Sequence, residues 1–175
     1  MSGLDQNSSR PRRRLALAIA CAGLAVGVLA TSFVALAQDQ SAATVKDVIF
    51  ARKTVMDTLS DNMDQIEGMI STGKIDIADA HEHADTISVM LMAFPHLFPP
   101  ASNQWKPGAD IDPVTGTFAS PDVWSKFTDF YKRAGDASKT AFDMSRADKP
   151  DELKAKTAEL RTACNGCHAA YLKTQ

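Results

Sequence analysis

The chain has few cysteines and few aromatic residues. Of three cysteines, Cys21 lies in an apolar leader, and only Cys164 and Cys167 remain beyond it. They stand three positions apart, and no second pair exists to complete a four-thiolate zinc site. Aromatic residues make up 7% of the chain. No alternation of strand and helix patterns is visible, which a thioredoxin-like cysteine pair would need. No basic patch is present, and with a formal charge of −2 the composition excludes nucleic-acid binding. Neither an internal repeat nor a low-complexity tract interrupts the main body. What dominates instead is Ala, Leu, Ile, Met, Lys, Glu and Asp, a set that favours helix over sheet. The 175 residues suffice for one domain plus a processed segment.

That segment is the N-terminus. Arg10, Arg12, Arg13 and Arg14 precede an uncharged run from Leu15 to Ala37. The run closes on Ala35-Leu36-Ala37, a small-x-small cleavage pattern before Gln38. Residues 1–37 therefore read as a secretory signal, and residues 38–175 as the exported domain. Left uncut, the run's 23 residues are long enough to span a bilayer, so membrane attachment follows only if the leader is retained. Arg13-Arg14-Leu15 faintly resembles a twin-arginine signal, and Ala18-Ile19-Ala20-Cys21 is a poor lipoprotein box. Without the four leader arginines and Asp5, 15 basic and 20 acidic side chains remain, a net charge near −5.

Four amphipathic helices are readable in the exported domain. The first is expected from about Ala43 to Ser71, with a seam of Val45, Ile49, Met56, Leu59, Met63, Ile66 and Ile70 and a C-terminal cap at Gly73. Its missing seam position is Arg52. The second is expected from about Asp76 to Phe94, stopped by Pro95. A proline-bearing connection without helical period follows as far as Ser120. The third opens at Ser120-Pro121, a serine cap with proline behind it, and carries Val123, Phe127, Phe130, Ala134, Ala137, Ala141 and Met144. Trp124 and Phe127 read as core. The fourth runs from about Asp148 to Lys173 on a seam of Leu153, Thr157, Leu160, Cys164, Cys167 and Tyr171. The fold class is all-α, an antiparallel four-helix bundle whose middle connection crosses the bundle or covers one end.

The last helix carries the chemistry. Cys164-Asn165-Gly166-Cys167-His168 reads C-x-x-C-H, the attachment signature of a c-type haem. Positions i, i+3 and i+4 of a helix share a face, so both thiols and the imidazole project together. Each thiol can add across a haem vinyl group, and His168 can reach the iron as proximal ligand. Arg52 places a charge on an apolar seam, which calls for an anion. A haem propionate supplies one; otherwise the side chain snorkels to solvent. His81 and His83 diverge around a helix, do not share one ion, and read as exposed. His96 sits in the proline-bearing connection. Asp57, Asp61, Asp64 and Glu67 read as a solvated acidic face that would steer a basic redox partner.

These motifs, in this order, resemble the class II c-type cytochromes: the cytochrome c prime proteins and their low-spin, methionine-ligated relatives. The matching stretches are Phe50 to Met56, Asn62 to Ile66, Leu97-Phe98-Pro99-Pro100, Ser120 to Trp124, and Cys164 to Tyr171. The chain departs from that pattern at Leu172, where the family usually has arginine, and at Arg161, where it often has glycine.

The resemblance implies one covalently attached haem c with its iron, and the N-terminal export signal implies a periplasmic location. It implies Arg52 at a propionate and Met56 at the family's first-helix methionine, which is iron-bound in some members and unbound in others. Met56 as distal ligand would make a six-coordinate, low-spin electron carrier that exchanges single electrons with redox partner proteins. Met63 is the fallback ligand, and a plain core role for Met56 is the competing reading. An open sixth site would instead bind nitric oxide or carbon monoxide. Family members often form a homodimer through their first two helices. A zinc-stabilised helical interaction domain is the reading from a different class. An enzyme is not expected, since no distal acid–base pair is evident.

Overall fold

The computed structural model describes residues 45–112 and 116–173. The chain divides into two units, Met1–Ala43 and Thr44–Gln175, and the second holds all of the described residues. The leader, with its cleavage and anchoring readings, lies outside the described residues. Among those described, no helix is long and apolar enough to cross a membrane.

Helix α1 covers residues 45–72. Its seam is inside: Ile49, Leu59, Met63 and Ile66 are buried, and so is Arg52. Gly73 ends it at φ +68°, with its amide donating to the Ile70 carbonyl at 3.2 Å. This is the left-handed cap that glycine adopts without penalty. Helix α2, Ile77–Ala93, starts where the Asp76 carboxylate accepts from the amides of Ala78 and Asp79. That satisfies two amides that would otherwise lack intrahelical partners. Pro95 stops α2, and the chain tightens into a 3₁₀ turn at Phe94–Leu97.

The third expected helix is two. The N-cap of α3 (Asp122–Ser125) is Pro121 and not the expected Ser120, whose hydroxyl still accepts from the Asp122 amide at 3.1 Å. At Lys126 the backbone leaves the helical region, with φ −120° and ψ 36°, and α4 runs from Phe127 to Met144. The break resets the helical phase. Phe127, expected in the core, is 38% exposed, while Val123 and Phe130 on either side are buried. Trp124 is half-buried, its indole N–H donating to the carbonyls of Phe98 and Pro99. Helix α5 spans Pro150–Tyr171 and ends two residues before the expected Lys173. There the chain turns extended and pairs with the long connection. The Ser120 amide donates to the Tyr171 carbonyl and the Lys173 amide to the Phe118 carbonyl, both at 2.8 Å.

The four long helices, α1, α2, α4 and α5, form the bundle. Short turns join α1 to α2 and α4 to α5, while α4 packs on both α2 and α5. Small residues let α2 and α4 approach: Ala80 and Ala84 on one, Ala134, Ala137 and Ala141 on the other. Ser138 donates to the Ser88 carbonyl across that contact at 2.8 Å. The core has two parts. One is aliphatic, around Ile66, Ile87, Leu153 and Leu160. The other is aromatic, with Phe94, Phe98, Phe130 and Tyr171 in edge-to-face and tilted contacts at ring separations of 4.8–6.1 Å. The long connection covers the aromatic end, where the haem motif also lies.

Candidate haem site

At that end the bundle holds a cavity of about 280 Å³. Every long helix contributes to its wall, and the lining is overwhelmingly apolar, with Leu91, Phe94, Phe98, Val123 and Phe130 among its residues. Helix α5 brings Cys164, Cys167 and His168 to it, as the i, i+3, i+4 spacing requires. Both thiols are free and half-buried. Burial pushes each above the ordinary thiol range, with Arg161 partly offsetting this at Cys164 and Arg133 at Cys167. Such thiols stay protonated and neutral at pH 7. His168 lines the cavity while remaining exposed overall.

Helix α1 supplies Arg52, Met56 and Met63 to the same cavity. Met56 is half-buried where the two parts of the core meet, and Met63 is 2% exposed. Arg52 is 4% exposed. Its guanidinium donates to the Ser102 hydroxyl at 3.0 Å, the Ser102 carbonyl at 3.3 Å and the Thr117 hydroxyl at 2.6 Å. It also lies 4.8 Å from the Phe98 ring centre and 5.7 Å from that of Trp124. Burial lowers its pKa to about 10, which leaves it charged at neutral pH.

Each hydrogen bond described for Arg52 thus goes to a neutral oxygen. A buried cation on an apolar cavity is suited to a carboxylate entering from that cavity. Two thiols and an imidazole on one helix face, a thioether from another helix and this cation fit a haem with its propionates.

Other expectations are revised. His81 and His83 are half-buried, not exposed. His81 Nε2 lies 3.1 Å from the Ala147 carbonyl, and His83 Nδ1 lies 2.8 Å from the Asn62 amide oxygen. Within the acidic face of α1, Glu67 is bound by Arg161 of α5, and Asp64 stands 3.6 Å from the same guanidinium. Two parts of the site were not foreseen. The partners of Arg52, Ser102 and Thr117, lie in an aperiodic segment whose sequence gives no signal of them. The Asp129–Arg133 pair had one, its i, i+4 spacing.

Comparison with known proteins agrees with this fold. A family model described as Cytochrome C' matches residues 47–172. Cytochrome c-556 of Agrobacterium tumefaciens is 34% identical over 89 residues, which span 49% of this chain and 63% of the relative, just under two thirds of its length. Among solved structures, cytochrome c' from Thermochromatium tepidum superposes with a TM-score of 0.64 at 18% identity, covering 74% of this chain and 97% of the other. A nitric oxide complex of a variant cytochrome c prime from Alcaligenes xylosoxidans gives a TM-score of 0.62 at 17% identity, over 74% and 97% of the two chains. At these identities the solved structures speak for the fold, and the family model for descent. The chain belongs to the cytochrome c' family, whose members carry covalently attached haem c with iron at its centre.

Proposed function

We propose that this protein is a periplasmic mono-haem electron carrier with His168 as proximal and Met56 as distal iron ligand. The carrying observation is that Met56 of α1 lines the same apolar cavity as Cys164, Cys167 and His168 of α5. When bound, the haem supplies one-electron cycling between ferric and ferrous iron. Cys164 and Cys167 would hold it through two thioethers, each S–H adding across one vinyl group. Arg52 takes a propionate. The aromatic end of the core would shield the bound group from water, and Met56 would stand where a gas would otherwise enter. A thioether at that position raises the potential relative to a second imidazole. The similarity to a protein named cytochrome c-556 supports the cytochrome class that both readings share.

The second reading is an open sixth site that takes nitric oxide or carbon monoxide. The likeness to a variant cytochrome c prime solved as a nitric oxide complex favours it, as does the packing of Met56 among core side chains. Exposure of the reduced holoprotein to carbon monoxide separates the two. The carrier reading predicts a reversible one-electron titration and a spectrum that carbon monoxide leaves unchanged. Immediate stoichiometric carbon monoxide binding contradicts it. The periplasmic assignment rests on the leader, and mass analysis of the exported protein should find Gln38 at its N-terminus. Assembly as a homodimer and exchange with a redox partner protein belong to the same proposal.

A further inference from the structure

One polar cluster beside the haem motif has no part in the ligation above. The Asp129 carboxylate accepts from the Tyr171 hydroxyl at 2.5 Å and from Arg133 Nε at 2.7 Å, both on Oδ2. Asp129 and Arg133 lie one turn apart on α4, and Tyr171 closes α5, three residues after His168. One carboxylate therefore joins the haem-bearing turn of α5 to a guanidinium on the neighbouring helix. Arg133 lines the cavity together with Cys167, His168 and Tyr171. Lys132, the adjacent cation, turns instead to Asp136. Leu172, next to Tyr171, adds no charge.

We propose that Arg133 and Asp129 are an opposed pair of charges that set the reduction potential, with Tyr171 holding Asp129 in place. The proposal rests on the His168 ligation proposed above. A fixed cation beside the haem disfavours the ferric state, which carries the extra positive charge, and so raises the potential. A fixed carboxylate lowers it. The two side chains are 45% and 51% exposed, so salt screens part of the effect. Tyr171 acts only through Asp129. Tyr171 is thus a positioning residue, while Arg133 and Asp129 act by their own charges with effects of opposite sign, a pattern that a purely structural salt bridge does not produce.

The test is spectroelectrochemical titration of the parent holoprotein and of Arg133→Gln, Arg133→Lys, Asp129→Asn and Tyr171→Phe, at low and high salt. Arg133→Gln should lower the midpoint and Arg133→Lys should restore most of it. Asp129→Asn should raise it, and both shifts should shrink at high salt. Tyr171→Phe should shift it less than either charge change. Shifts of the same sign for Arg133→Gln and Asp129→Asn, or no shift in either, overturn the proposal. Failure of the underlying haem reading shows separately, as a parent protein without denaturation-resistant haem or without a histidine-ligated spectrum.

Discussion

The Arg161 guanidinium holds the Glu67 carboxylate through two hydrogen bonds of 2.7 Å, one from Nε and one from Nη2. The pair ties α5, one turn before Cys164, to the α1 helix that carries Met56. Its two side chains are 36% and 38% exposed, so the bidentate geometry counts for more than the charges. Arg161→Ala should destabilise the holoprotein by about 1 kcal/mol. Thermal unfolding in low and high salt checks this, with the difference expected to narrow as salt rises.

Arg52 anchors the long connection from inside. Replacing it with leucine removes the donors to Ser102 and Thr117 and leaves those oxygens buried. Arg52→Leu should destabilise the fold by about 1–3 kcal/mol. It should also lower haem retention or shift the midpoint potential, because the proposed propionate partner is gone. Unchanged retention and potential would count against the propionate role.

Gly73 offers a cleaner backbone test. Its φ is +68° and a Cβ there would meet nothing within 4 Å. Gly73→Ala therefore strains the backbone without a clash, and should cost about 1 kcal/mol in denaturant unfolding.

The Tyr171 phenol is pushed up to about 12, by burial first and then by its hydrogen bond to Asp129. In an unfolded chain tyrosine ionises near 10. The folded state thus keeps its proton where the unfolded state has lost it, and stability falls as pH rises from about 10 to about 12. Tyr171→Phe should remove this part of the alkaline loss. Unfolding midpoints across that range, compared between parent and variant, check it.

Much of this was readable in the residues because helices and haem attachment are both local in sequence. The seam through Ile49, Leu59, Met63 and Ile66 placed the α1 face that is buried. The i, i+3, i+4 spacing brought Cys164, Cys167 and His168 to one cavity. The break at Lys126 was not legible, since Asp122 to Met144 is acceptable as one continuous helix by pattern. Tertiary packing, with the Trp124 indole bonded to Phe98 and Pro99, goes with the two-helix arrangement. Contacts between distant segments were equally silent: Arg52 with Thr117, 65 positions apart, and Arg161 with Glu67, 94 apart. The place of Arg52 on an apolar seam was legible, but its burial was left open against snorkelling to solvent and the oxygens that receive it were not readable.

The distal ligand is the centre of the account. It is tested by electronic absorption and electron paramagnetic resonance of the oxidised holoprotein, parent beside Met56→Ala. Ligation by Met56 predicts a low-spin parent, with the near-infrared band of methionine-bound ferric haem, that turns high-spin in the variant. An oxidised spectrum that is the same in both proteins would contradict it.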